Sequence, residues 1–306
     1  METRTPDTRH RDTRHRDPRH RDPRTPDTDD RVIVSAALTG AVTPRSRNGN
    51  IPLTPEEIAE DAYRCWRAGA AIVHLHMRDD EGLGTMDRER FKRTVDRIRA
   101  HEDCDLIINC TTSGDNRAGD DERMAHLPYV RPEIASFDAG SMNWMPEGVF
   151  TNSPQFLERL GTTMRELGIK PELEIFDSGF IGVAGYYLDT GVLVAPAHYQ
   201  FVLGVLGGLE ATVENLVFLR SKLPADATWS AFGVGRDHLR ILYATLALGG
   251  HVRVGLEDNV YYARGVLASN VSLVERAVRV IREFGHQPAT PDEARRILSL
   301  PPRPGR

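Results

Sequence analysis

The chain has 306 residues, a formal net charge of −5 at pH 7, 40% hydrophobic and 27% charged residues. This is the usage of a globular protein that can bury a full core. No stretch approaches the roughly 20 apolar residues of a membrane span. The polar N-terminus carries no secretory apolar region, and Cys65, Cys104 and Cys110 form no CxxC pair. A disulfide framework and a cysteine zinc ribbon are therefore excluded, and a reducing, cytoplasmic setting is expected.

In residues 1–30 the unit R-H-R-D-[T/P] recurs every five residues from Arg9 to about Pro23. The segment holds eight arginines and eight acids and almost no apolar side chain. It cannot offset the entropy of ordering itself, so a disordered low-complexity tail is expected. His10, His15 and His20 offer loose metal ligands and the arginines a nucleic-acid contact; a plain low-complexity extension explains them equally. Residues 31–306 carry the whole −5, which argues against a nucleic-acid-binding surface.

From Arg31 onward, short apolar, mostly β-branched runs alternate with amphipathic stretches. Strands are predicted at 32–38, 71–76, 105–110, 133–137, 172–176, 199–203, 228–232 and 251–254. Helices are predicted between and after them at 54–68, 87–100, 121–127, 153–167, 179–190, 210–222, 236–248 and 263–284. Thr54-Pro55-Glu56-Glu57 has the order of a capping box with proline at the first helical position, and Gly69, Gly168 and Gly249 mark helix stops. Eight βα units predict an α/β fold, a single (β/α)8 TIM barrel over 31–306, closing on a short helix and a proline-rich end. No GxGxxG follows the first strand, which weakens an open dinucleotide-binding sheet.

A barrel of this kind carries its chemistry at the C-terminal ends of its strands. The second strand ends in His74-Leu75-His76. Residues two apart on a strand share a face, so two imidazoles there can share one metal. The eighth strand runs His251-Val252-Arg253-Val254-Gly255-Leu256-Glu257-Asp258. Strands two and eight flank strand one in a closed barrel, so Glu257 can approach both histidines. Two histidines and a carboxylate make a catalytic zinc set or an iron(II) triad; alternatively Glu257 only pairs with Arg253. The third strand ends in Thr111-Thr112-Ser113-Gly114, which suits a carboxylate or phosphate or an ordinary turn. On the fifth strand Glu172, Glu174 and Phe176 share parity, so one acid can face the lumen. Gly233-Val234-Gly235-Arg236 opens a helix where barrels often bind phosphate, a weak signal.

The segments TPEEIAEDA, AGAAIVHLHMRD, PELEIFDSG, FVLGVLGG, GVGR and GGHVRVGLEDN, spread over about 32–300, resemble the β-keto acid cleavage enzymes, whose founding activity cleaves 3-keto-5-aminohexanoate. The resemblance implies a zinc-dependent TIM barrel, usually a homo-oligomer, with a tetramer favoured. It implies an enzyme that takes a β-keto acid and acetyl-CoA and gives acetoacetate and a new acyl-CoA. By it, His74, His76 and Glu257 hold one Zn2+ per chain, Arg253 and Asp258 form the catalytic pair, and Glu174 is an active-site acid. The family's serine-threonine-glycine-glycine carboxylate loop reads Thr111-Thr112-Ser113-Gly114 here, keeping hydroxyls and losing one glycine. Members that accept an aminated keto acid place an acid near Val42; the apolar residue implies a neutral tail. The chemistry itself asks for a metal to polarise the keto oxygen and a base, Asp258, to take a proton from the carbon between ketone and carboxylate. The rival readings are a metal-dependent hydrolase or class II-type aldolase, weakened because His198 and His251 lie at strand starts, and a non-enzymatic metal-binding scaffold.

Overall fold

Runs such as Ile72-Val73 and Ile107-Ile108, buried on both faces, form strands whose side chains fill the space between neighbours on either side. The computed structural model describes residues 30–114 and 117–303; apart from Asp30, the expected tail lies outside the described residues. The strands are β1 (Val34–Ala37), β2 (Ile72–Leu75), β3 (Ile107–Cys110), β4 (Ile134–Asp138), β5 (Lys170–Ile175), β6 (His198–Leu203), β7 (Thr228–Gly233) and β8 (His251–Val254). Each pairs in parallel with the next. β8 closes on β1 through Val252↔Val34 and Arg253↔Ser35, giving the expected closed eight-stranded barrel.

The surrounding helices are α1 (Pro55–Ala68), α2 (Arg88–Arg99), α3 (Asp120–Met124), α4 (His126–Val130), α5 (Pro154–Leu167), α6 (Ser178–Asp189), α7 (Val213–Arg220), α8 (His238–Ala247), α9 (Asn270–Glu283) and α10 (Pro291–Ile297). The capping box is present: the Thr54 hydroxyl accepts the Glu57 N–H at 3.1 Å, and the Glu57 carboxylate accepts the Thr54 N–H at 3.2 Å. α1 ends where Gly69 takes φ 111°, a left-handed conformation that costs glycine little. Outward-facing Val73 and Leu75 pack into one cluster with Ile58, Phe91 and Val95 from α1 and α2.

Three helices differ from expectation. The predicted helix at 263–284 begins only at Asn270, because Ser269 forms a capping box with Ser272, while Tyr261–Ala263 and Val266–Leu267 pair as a hairpin around Gly265. The predicted helix at 121–127 is two short ones, α3 and α4. α7 starts at Val213 because Thr212 caps it.

The lower end of the barrel is sealed. Ile33, Ile72, Ile107 and Ile134 form one apolar cluster with Ala294, Leu298 and Leu300 from α10 and the chain beyond it. Arg31–Val32 pairs in parallel with Gln287–Pro288, fixing that closing segment. Above this layer the lumen is polar. Asn109 on β3 donates to Glu172 on β5 at 2.6 Å; these strands are not neighbours, so the bond crosses the lumen. The open mouth is therefore the C-terminal end.

At the sealed end, the His251 Nδ1 accepts the Ile33 N–H at 3.2 Å. Burial pushes this imidazole down to about 4 from its ordinary 6.5. The unfolded chain takes up the proton first, so the stability this group contributes is present above about pH 6.5 and is lost as pH falls through 4, at up to about 1.4 kcal/mol per unit. His251→Asn keeps an acceptor and removes the titration. Urea unfolding at pH 7 and pH 5 is expected to show a smaller acid loss of stability in the variant than in the parent.

Candidate active site

β2 delivers His74 from its last turn of pleat, and His76 follows just beyond the strand. Both are buried, 2% and 7% exposed, with ring centroids 5.0 Å apart. Across the mouth, Glu257 Oε1 lies 3.6 Å from His74 Nε2 and 3.4 Å from His76 Nε2. The three ligand atoms fall within 4.8 Å of one another. Glu257 Oε2 and the Nδ1 atoms of both histidines are buried without a hydrogen-bond partner. The sequence parity of the HxH pair thus corresponds to one shared face, and the structure brings the third expected residue to it.

Two glycines make this approach possible. Gly255, at φ 155°, turns β8 toward Glu257, and a Cβ there would stand 1.8 Å from the Ala37 carbonyl oxygen. The Glu257 N–H then donates to that carbonyl at 3.2 Å. Gly40, at φ 60°, presses the loop after β1 against Glu257, where a Cβ would meet Glu257 Cγ at 2.7 Å.

Arg253 on β8 gathers the acids. Its Nε donates to Asp258 Oδ2 at 3.0 Å and its Nη2 to Asp258 Oδ1 at 2.9 Å, a two-pronged pair. Its Nη1 donates to Glu174 Oε1 on β5 at 3.2 Å, and its Nη2 also bonds Glu257. The guanidinium stacks over Phe232 at 4.3 Å. Glu257 pairs with Arg253 and also faces the two histidines.

The electrostatics follow from burial and crowding. Burial raises Asp258 to about 6, with Arg253 pulling the other way. Burial also pushes Glu174 well above the usual carboxylate range, helped by Asp138, which pairs with it in register across β4 and β5. Burial would raise Glu257 too, but His76, Arg253 and His74 together hold it well below the usual range. Burial keeps His74 well below its ordinary value, and hence neutral, against the pull of Glu257.

The loop after β3 divides in two. Ser113 and Gly114 line the cavity, whereas Thr111 and Thr112 do not. The Thr112 N–H and hydroxyl are spent on Ser136 of β4, each at 3.0 Å, and the Thr111 hydroxyl accepts the Ser113 N–H at 3.1 Å. Gly235 likewise donates its N–H to the Asp258 carbonyl at 3.0 Å, so the turn after β7 braces Asp258. His198 and His251 sit at the starts of β6 and β8, as expected from sequence.

Sequence reasoning missed Arg78, Asn109 and Asp138. Arg78 is fully buried and donates to the carbonyls of Gly40, Thr39, Thr43 and Gly82 at 2.6–3.1 Å, moulding the loop after β1. Its place in HMRD carried no signal of this, since all four acceptors are backbone.

A cavity of about 580 Å³ opens above these groups. Its polar wall is built from His76, Ser113, Glu174, Arg253, Glu257 and Asp258, and its apolar wall from Trp144, Phe150, Phe176, Val202 and Phe232. Val42, 60% exposed, stands at the rim.

A closed barrel with two histidines and three carboxylates converging at its mouth defines a TIM-barrel enzyme site. Residues 31–300 match the beta-keto acid cleavage enzyme family. The chain is 42% identical over 273 residues to a 3-keto-5-aminohexanoate cleavage enzyme of Fusobacterium nucleatum, covering 89% of this chain and 98% of that one. It is 35% identical over 293 residues to a 3-dehydrocarnitine:acetyl-CoA trimethylamine transferase of Rhizobium meliloti, covering 89% and 97%. It is 36% identical over 274 residues to a 3-oxoadipate:acetyl-CoA acetyltransferase of Cupriavidus necator, covering 88% and 95%. Among solved structures, apo ObcA aligns with TM-score 0.74 at 23% identity, covering 82% of this chain and 66% of that longer one, a likeness of fold. The chain belongs to the beta-keto acid cleavage enzyme family, and as such is an enzyme that breaks a carbon–carbon bond.

Gly40→Ala is expected to displace Glu257, since both the left-handed φ and the 2.7 Å approach oppose a Cβ. The folded variant should lose activity by at least about tenfold, equivalent to a barrier change of roughly 1.4 kcal/mol. Steady-state kinetics alongside circular dichroism checks this; a folded variant with full activity would show that the loop does not set the Glu257 position.

Proposed function

We propose that this enzyme condenses a β-keto acid with acetyl-CoA and cleaves the adduct by retro-Claisen chemistry, giving acetoacetate and a new acyl-CoA. The supporting observation is the convergence of His74, His76 and Glu257 beside the Arg253–Asp258 pair, in a chain of this family. The use of acetyl-CoA is carried over from the names of the transferase relatives.

The donor set fits a single Zn2+. Two imidazole Nε2 atoms and a carboxylate oxygen lie within 4.8 Å of one another, a zinc combination. Three carboxylates, of Glu174, Glu257 and Asp258, share one buried guanidinium, and a divalent cation would offset the excess of acids. His74, His76 and Glu257 would hold the ion, which when bound supplies Lewis acidity to the substrate's keto oxygen.

The chain's own residues do the rest. Asp258, held by two bonds from Arg253, takes a proton from the carbon between ketone and carboxylate. That carbon attacks the acetyl thioester, forming a carbon–carbon bond and releasing CoA. The thiolate then adds to the original ketone carbon, the old carbon–carbon bond breaks, and the electron pair stays on acetoacetate, to be protonated there. Ser113 and Gly114 would bind the substrate carboxylate, with Thr111 and Thr112 holding their loop in place. Glu174 is an acid facing the same cavity through Arg253. Val42 and the apolar wall suit a neutral, apolar or small tail. We further propose residues 31–306 as one catalytic domain of a cytoplasmic homo-oligomer, with a tetramer favoured by the family resemblance. No helix among the described residues is long and apolar enough to cross a membrane.

Incubating a panel of β-keto acids with acetyl-CoA is expected to yield acetoacetate, best from neutral tails; preference for a cationic amino-keto acid would overturn the assignment of Val42. Metal analysis of the purified protein should find one zinc per chain, lost in His76→Ala and in Glu257→Ala. Full occupancy in either variant removes that residue from the ligand set. Asp258→Asn should keep its zinc, lower turnover by about 10²–10⁴-fold, the usual cost of losing a general base, and abolish C2–deuterium exchange measured without acetyl-CoA. Brisk exchange in the folded variant would assign the base elsewhere, with Glu174 next in position.

A further inference from the structure

His74 and His76 are not held alike. His74 is the deeper of the two, and its Nε2 faces Glu257 while its Nδ1 points down the lumen. There, Glu172 Oε2 lies 3.9 Å from Nδ1. The same oxygen accepts a hydrogen bond from Asn109 Nδ2 at 2.6 Å. Asn109 pairs with His74 in register across β2 and β3, and its Oδ1 is buried with no hydrogen-bond partner, as is His74 Nδ1. Since Asn109 Nδ2 donates to Glu172, the amide is turned so that Oδ1 is its free acceptor. The atom that faces Nδ1 is thus an acceptor, the Glu172 carboxylate oxygen, and the neighbouring Asn109 has an amide oxygen to spare. All three side chains are 98% or more buried, so no bulk water competes for Nδ1.

An acceptor on one side of an imidazole fixes the proton on that nitrogen and leaves the other as a lone-pair donor. Carboxylates behind metal-binding histidines do this widely, setting ring orientation and raising ligand basicity. We propose that Glu172 and Asn109 are positioning residues that hold His74 in the Nδ1–H form with Nε2 turned toward Glu257 and His76. The separation of 3.9 Å exceeds a hydrogen bond; separations of this kind at functional histidines of unliganded enzymes tighten in the working complex. The alternative use of the same residues is a cation site made of His74, Glu172 and Glu174, whose ligand atoms also fall within 4.8 Å of one another. Asn109 already occupies Glu172 Oε2, and Glu174 is bonded to Arg253; this favours the positioning role.

The inference rests on the zinc reading of the site and is tested separately from it. Zinc affinity is measured by competition with a chelator for the parent, Glu172→Gln and Asn109→Ala, together with the melting temperature of each metal-free protein. Glu172→Gln keeps the volume and, with its amide oxygen in the Oε2 position, the bond from Asn109, but replaces the carboxylate facing His74 with a neutral, weaker acceptor. The expected result is a 10–100-fold weaker zinc affinity, with no matching loss of stability in the metal-free form. Unchanged affinity in a folded Glu172→Gln variant overturns the positioning role while leaving the zinc site intact. Two zinc ions per chain in the parent, falling to one in that variant, would instead assign Glu172 as a ligand. A parent protein that binds no zinc overturns the metal reading itself. Nitrogen-15 NMR of the metal-free parent gives a second readout that needs no variant: the His74 proton is expected on Nδ1, and a proton on Nε2 contradicts the proposal.

Discussion

One guanidinium, that of Arg253, is shared by three carboxylates inside the mouth of the barrel. Asp258 comes from four residues beyond the end of β8, Glu257 from the turn between, and Glu174 from β5 on the far wall. A cation buried to this degree, 4% exposed, requires acidic partners, because removing one partner of a buried pair typically costs about 3–5 kcal/mol. The requirement runs both ways. The three acids are drawn to one point by Arg253, and Phe232 under the guanidinium fixes the height of that point. What remains uncompensated is negative, and it lies beside the imidazoles of His74 and His76.

The rest of the upper barrel serves that arrangement. Gly255 lets β8 leave its path close to Ala37, and Gly40 lets the loop after β1 close over Glu257. Arg78 holds that loop by three carbonyls. Gly235 ties the turn after β7 to the Asp258 carbonyl. Below, Asn109 and Glu172 form a bond across the lumen where barrels usually carry branched apolar side chains. α10 and an apolar layer seal the other end. The large apolar clusters lie between the strands and the helices around them, and the polar chemistry lies at the mouth.

Much of this was legible from sequence, for definite reasons. The eight strands were visible because apolar runs such as Ile72-Val73 and Phe201-Val202 are bounded by helix stops and caps at regular spacing. The HxH pair was readable because a strand's period of two is strict. Glu257 could be placed by barrel closure alone. The missed features are those in which one partner's pattern is silent. Nothing near Asn109 announces Glu172, which is 63 residues away, because the contact exists only once the barrel has closed. Thr111 and Thr112 look as exposed to substrate as Ser113, yet Ser136 on β4 claims Thr112 and the Ser113 backbone claims Thr111. The start of α9 was placed early because the apolar residues of the hairpin around Gly265 extend a helical pattern that Ser269 then resets with its cap.

The most direct measurement follows carbon. With acetyl-CoA labelled at its carbonyl carbon and an unlabelled β-keto acid, condensation followed by retro-Claisen cleavage carries the label into C3 of acetoacetate and leaves the new acyl-CoA unlabelled. Label in the acyl-CoA or in free acetate, or cleavage that proceeds equally well with no acetyl-CoA present, would contradict the proposed chemistry and point instead to a hydrolytic or aldol-type use of the same site.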